Sequence, residues 1–229
     1  MILQLGKLQF AAMAGLAFTL ASLASAADKP TARDRFYEAA RAGDEPEWVG
    51  ARTGILLKRG TGAAASIKEV AEDAEFQSGD QFRIRLQSNV DGYAYLVQLN
   101  GKECRVLFPN TGGGRSNKLK AFETSWVPAR AGKTWFAFDN RPVVEGLHLL
   151  VSRKPIAELE RGRDKDGKVK VSLFEDLLKR NGETVDMQFD EKSKAGISTV
   201  PATYYVEKKG RQFMAREIQL DHQRKPRVE

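Results

Sequence analysis

One cysteine and two histidines are all the thiol and imidazole chemistry in this 229-residue sequence. A single thiol, Cys104, cannot close an internal disulfide, so stability must come from packing even in an oxidising compartment. Zinc requires three or four nitrogen or sulfur ligands, which two distant histidines and one cysteine do not supply. Acidic residues are also in deficit: 37 Lys and Arg face 30 Asp and Glu, a formal charge of +7. Such a balance suits anionic partners, but with charges of both signs making up 29% of residues it is also an ordinary route to solubility. Long apolar runs are missing beyond the first segment, so no membrane span is expected in the rest of the chain.

That first segment has three parts. Met1 to Lys7 carries one positive charge, Leu8 to Leu20 is apolar apart from Gln9 and Thr19, and Ala24-Ser25-Ala26 offers the small residues a signal peptidase requires. The apolar stretch is shorter than the roughly 20 residues of a stable spanning helix. The pattern predicts export with cleavage after Ala26, giving a periplasmic or secreted chain. Removing these 26 of 229 residues leaves 203, enough for one domain with a substantial core, at a charge of +6 once Lys7 is gone.

The periodicity then changes along the chain. Thr31 to Gly43 reads as a short helix, capped by Thr31 with Asp34 three residues on. From Ile55 the period is two, and Phe82-Arg83-Ile84-Arg85-Leu86-Gln87 alternates fully, which predicts a core face of Phe82, Ile84 and Leu86 with the arginines in water. Tyr93 to Leu99, apolar on nearly both faces, is expected as a central strand, with the chain reversing at Asp91-Gly92. Arg105 to Phe108, Thr124 to Val127, Trp135 to Phe138 and Leu147 to Val151 continue the series, and Lys154 to Glu160 suits one helical turn opened by Pro155. Ser172-Leu173-Phe174-Glu175 resembles a capping box opening a second helix that stops at Gly182. Val200 to Val206 and Gln212 to Leu220 are expected to form a hairpin across Lys208 to Arg211, and His222 to Glu229 to be a frayed basic end.

Many short strands at this spacing favour a mainly β fold over alternating β-α-β units, and the expectation is an immunoglobulin-like β-sandwich with short N-terminal and C-terminal helices. The expected organisation is a signal peptide at 1–26, a helix and linker at 27–52, the sandwich at 53–160 and a C-terminal extension of helix plus hairpin at 161–229.

Phe76 to Asp80, Phe82 to Leu86, Asn89, Gly92 to Leu96 and Val106 to Asn110 together resemble the bacterial family called domain of unknown function 4384, in order and in gaps. Asn117, Phe136 to Asp139, Glu145 and Ser152 to Pro155 look like later landmarks, and Trp48 to Arg59 like a leading strand, so the resemblance covers residues 48–160. It implies an exported domain that senses or binds at the cell envelope. Relatives are often fused to serine/threonine kinase or caspase-like peptidase domains, neither of which is seen in this sequence. The family assigns no catalytic residues. Read physically, its landmarks are a core and its turns: Ser78-Gly79-Asp80 suits a tight turn, Gly92 an unusual backbone conformation, and Tyr93 and Tyr95 stack large rings on one side of a strand.

Reactive constellations are few. His148 sits in a strand with no G-x-S-x-G elbow near it, and Cys104 lacks any flanking nucleophile signature. Asp164-Lys165-Asp166-Gly167-Lys168 has the spacing of a calcium-loop start, yet its lysines oppose an ion and no closing glutamate follows, so a charged turn is expected. Asp139 and Glu145 are the carboxylates available to a glycosidase-type pair. After the strand ending at Phe108, Gly113 and Gly114 could let backbone amides converge on an anion, with Arg115, Lys118 and Lys120 adding charge. The functional expectation is a non-catalytic envelope module without cofactor or metal, binding an envelope protein or anionic envelope polymer rather than nucleic acid. The alternatives are an envelope hydrolase using carboxylates and an assembly accessory pairing through a sheet edge.

Overall fold

In the computed structural model of the chain, the residues described are 29–42, 48–110, 116–128, 134–140, 144–181, 186–195, 198–206 and 212–223. None of the helices among them is long and apolar enough to cross a membrane. The fold is mainly β, and the expected sandwich is present as two seven-stranded sheets.

The first sheet is organised on β1 (Gly50–Arg59). One edge of β1 pairs with β4 (Gln81–Ser88), and the other is shared by β2 (Ser66–Val70) and β13 (Ser198–Val206). β12 (Asp186–Ala195) continues the sheet beyond β13, while β8 (Ser125–Val127) and β9 (Phe136–Ala137) pair with β4. The second sheet centres on β5 (Gly92–Leu99) and β10 (Val144–Ser152), antiparallel neighbours. β6 (Cys104–Phe108), β7 (Lys118–Leu119) and β11 (Lys168–Val169) lie on the β5 side; β14 (Phe213–Gln223) and then β3 (Phe76–Gln77) follow β10.

Alternation decides what lies between the sheets. Ile55, Leu57, Ile84 and Leu86 from one sheet meet Leu96, Leu147, Leu149, Val151, Met214, Ile218 and Leu220 from the other. Each such side chain fully withdrawn from water contributes on the order of 1.5–3 kcal/mol. Helices cover both outer faces. α1 (Ala32–Ala42) sets Phe36 against Tyr204 and Val206 of β13, with ring centroids of Phe36 and Tyr204 5.6 Å apart. α2 (Ala157–Arg161) and α3 (Val171–Asn181) place Leu159, Phe174 and Leu177 on Tyr95, Val97, Leu150 and Phe213.

α1 is closed at its start as expected: the Asp34 amide donates to Thr31 Oγ1 at 3.2 Å, and the Thr31 amide to Asp34 Oδ2 at 3.0 Å. Other expectations are corrected. α3 begins at Val171, so Ser172 lies inside its first turn and is not its cap. Arg83 is 5% exposed rather than solvated; it stacks on Trp135 at 4.3 Å and donates to the Thr134 carbonyl at 2.7 Å. Arg85 is ion-paired with Glu69 across β1. The polar face of β4 is thus covered by loop and neighbouring-strand side chains that alternation alone cannot anticipate.

Asp91-Gly92 does not turn a hairpin. β4 and β5 belong to different sheets, and the chain crosses the sandwich between them. Gly92 is needed for space: a Cβ there would lie 2.2 Å from the Ser152 carbonyl oxygen. The expected hairpin between the last two strands is also replaced by a crossing, since β13 pairs with β1 and β12, whereas β14 pairs with β10. His222 is not frayed; it is 2% exposed within β14.

Candidate functional site

Gly113, Gly114 and Arg115 lie outside the described residues. Lys118 and Lys120 flank buried Leu119, so both point away from the core. Lys120 Nζ donates to Asp91 Oδ2 at 2.8 Å, and the other Asp91 oxygen accepts the Ala121 amide at 2.9 Å. The ammonium and the amide hold the Asp91 carboxyl below its usual range, and Asp91 raises Lys120. Lys120 is therefore already neutralised locally, which leaves exposed Lys118 as the described cation of this loop with open charge.

The nucleophile candidates are separated. Cys104 is buried under α2 and α3, and burial pushes its thiol up to about 11, away from the reactive thiolate. His148 meets the Phe174 ring edge-on at 5.2 Å, and desolvation holds its imidazole below the ordinary value. β5 runs between their two strands, and Cys104 and His148 oppose Leu99 and Val97 respectively. Two strand spacings of roughly 4.8 Å already hold them about 10 Å apart. Asp139 is exposed, and the Glu145 side chain lies outside the described residues.

The calcium-like segment is the expected charged turn. Asp164 Oδ1 accepts the amides of Asp166 and Lys168, both at 2.8 Å, and Gly167 takes a φ of +80°. That oxygen is spent on the backbone. Among the described residues no group of three or more His, Cys, Asp or Glu is arranged to hold a metal ion.

The polar landmarks have structural partners. Asn89 Oδ1 accepts the Gly50 amide at 2.6 Å and its Nδ2 donates to the Trp48 carbonyl at 3.0 Å, which ties the start of β1 to the crossing after β4. Asn117 Nδ2 donates to the Ala94 carbonyl at 3.2 Å. Asp80, 2% exposed, takes the Arg59 guanidinium on both oxygens and the Gln77 amide at 2.9 Å. Tyr95 OH donates to Glu160 at 2.7 Å and accepts the Ile156 amide at 3.1 Å, fixing α2 to the sheet.

Sequence reasoning missed two features. Ser78 Oγ and His222 Nε2 are 3.1 Å apart, and the imidazole lies against the Phe138 ring at 4.9 Å. The pairing needs β3 to lie parallel to β14, a contact 144 positions apart in the chain that no local pattern announces. The second is a groove of about 380 Å³ where β10 ends, lined by Ser152 to Glu158, Leu177, Gln212 and Phe213. Ile156, Leu177 and Phe213 make its wall apolar; Lys154 is exposed and Arg153 half-buried at its rim. Its carboxylate, Glu158, is bonded to Arg180 at 2.7 Å, which holds the carboxyl below the usual range. Ser152 is occupied with the backbone, donating to the Lys154 carbonyl at 2.7 Å. The groove can therefore offer apolar contact and positive charge, but no free acid or nucleophile from these residues.

Residues 75–155 match the model of a family described as Domain of unknown function (DUF4384). The match lies within the span read from the landmarks and omits the leading strand at Trp48 to Arg59. No curated protein and no solved structure gives a significant match.

Proposed function

We propose that this chain, which carries the DUF4384 domain within its sandwich, is an exported, non-catalytic binding module of the bacterial cell envelope. The observation that carries the reading is how the domain's polar residues are used. Asp80, Asn89, Asn117 and Ser152 each hold backbone in place, and the reactive candidates, buried Cys104 and half-buried His148, are held apart from one another by β5. What faces outward at the end of the matched segment is a groove with apolar walls and a basic rim, the composition of a binding site.

Export rests on the three-part N-terminal pattern, with processing after Ala26 and a periplasmic or secreted product. The hydrolase alternative calls for two carboxylates facing across a pocket, whereas Glu158 in the groove is ionised and engaged by Arg180. The partner proposed is an envelope protein or an anionic envelope polymer.

Cell fractionation with mass analysis of the purified product checks the first half: an N-terminus at Ala27 in the envelope fraction is expected, and an intact cytosolic precursor would refute export. Co-sedimentation with peptidoglycan sacculi, lipopolysaccharide and anionic vesicles over a salt series checks the second. Retention that weakens in an Arg115, Lys118 and Lys120 triple-alanine variant would assign the glycine loop; equal retention removes that loop from the site. Turnover of any envelope polymer that a single carboxylate substitution abolishes would overturn the non-catalytic reading.

A further inference from the structure

The groove at the end of β10 is lined by polar groups that are already used within the fold. Ser152 Oγ donates to the Lys154 carbonyl at 2.7 Å and accepts the Lys154 amide at 3.3 Å. The Ile156 amide donates to Tyr95 OH at 3.1 Å, and the Ile156 carbonyl accepts the Leu159 amide at 3.0 Å. Glu158 is held by Arg180. A sugar or a peptide backbone laid against these groups would give up its water and leave its own donors and acceptors unpaired, which disfavours both as occupants.

What stays open to a ligand is apolar surface and positive charge. Pro155 and Ala157 line the groove and are exposed, with Ile156, Leu177 and Phe213 forming the wall. Every residue that lines it is among those described. At about 380 Å³ the groove sits at the small end of the range for small-molecule sites, room for one chain and not for a folded partner. Arg153 and Lys154 stand against one carboxylate in the lining, Glu158, which Arg180 engages from outside. Lys154 is exposed, and its ammonium has no ion-pair partner among the described residues. A cationic ligand would meet that ammonium and no open acid, whereas a monoanion would match it.

We infer that this groove holds a single fatty-acyl chain ending in a carboxylate, the chain lying along Pro155, Ile156, Leu177 and Phe213 and the carboxylate at the Lys154 ammonium. The occupant follows from complementarity: apolar walls without open polar groups, a volume for one chain, and one unengaged cation at the rim. The inference rests on the chain being a binding module, goes beyond the protein or polymer partner proposed above, and is independent of which compartment the chain occupies.

Isothermal titration of the full processed chain with decanoate, decanol and decyltrimethylammonium, each below its micelle concentration, tests it. One saturable site is expected for decanoate, with the other two weaker by about tenfold or more, since each lacks the charge-assisted contact. Octanoate should bind more weakly than decanoate by about fourfold for each methylene lost. Lys154→Glu should reverse the order of decanoate and decyltrimethylammonium, and Ala157→Phe should fill the groove and abolish binding of all three. Both positions are exposed, so both variants should melt like the parent. In methyl nuclear magnetic resonance spectra, Ile156 and Leu177 should shift as decanoate is added. No binding of decanoate, equal affinity for the three head groups, binding untouched by both variants, or unshifted Ile156 and Leu177 methyls would each overturn the inference. So would protection of Ser152 to Glu158 by anionic vesicles that decanoate fails to displace. Decanoate capture by a chain that fails to sediment with sacculi or vesicles would leave this site standing while refuting the polymer partner; sedimentation without decanoate capture would do the reverse.

Discussion

A buried amide side chain that bonds two backbone segments leaves two polar groups stranded when it is removed. Asn89→Ala strands the Gly50 amide and the Trp48 carbonyl, and a loss of about 2–4 kcal/mol is expected from urea midpoints. Gly92→Ala puts a methyl group onto the Ser152 carbonyl, whose rigid strand cannot yield; about 3 kcal/mol or outright failure to fold is expected in the same measurement. Cys104 should react with an aromatic disulfide reagent at pH 8 only as fast as the chain unfolds, because burial suppresses both access and the thiolate. His148 makes the fold sensitive to acid. Desolvation holds its folded pKa below the ordinary value of 6.5, so the unfolded chain takes up the proton first, and stability is full above about pH 6.5 and lost as pH falls. His148→Gln should flatten the decline between pH 7 and pH 5, read from urea midpoints across pH; an unchanged slope would exclude the imidazole as its source.

Elements here are held by a few long-range contacts as much as by their own propensity. α3 is short and gains most of its stability from the face it lays on the second sheet. Leu177→Ala should cost about 2–5 kcal/mol by denaturant titration, with loss of helical signal ahead of strand signal if the helix detaches by itself. β3, two residues long, depends on neighbours: Asp80 anchors the turn after it through Arg59 and the Gln77 amide, while Ser78 meets His222. β5, expected as a central strand because it is apolar on nearly both faces, is covered on both, while the strand alternation that predicted β4 worked because one face of it lies in the shared core. It misjudged Arg83 and Arg85 because a second layer, Trp135 and Glu69, comes from elsewhere in the chain.

At the scale of the whole molecule, the region after Arg161 is built into both sheets. β13 borders β1 in one, and β14 borders β10 along nearly its whole length in the other, sending Met214, Ile218 and Leu220 into the core. Truncation after Val206 is expected to give an insoluble or non-cooperative product, read by circular dichroism and thermal melting; a stable, cooperatively folding fragment would show that the sandwich closes without β14. The same placement puts Gln212 and Phe213 into the wall of the groove that begins in the matched segment. The candidate site thus joins two distant stretches of chain, an arrangement that a purely local signal such as the glycine loop does not announce.

Read alone, the amino-acid order determined what depends on neighbours in the chain: the α1 cap, the strand periodicity, the mainly β class, and the family landmarks with their turns. Which strands share a sheet was decided only in three dimensions, because period-two alternation specifies a buried face and says nothing about partners. So β4 to β5 and β13 to β14 became crossings between sheets, His222 came to Ser78, and the groove formed where β10, α2, α3 and β14 meet. Local spacing encodes torsion and burial; pairing and cavities follow from closing the whole core at once, and that closure is a property of the folded chain.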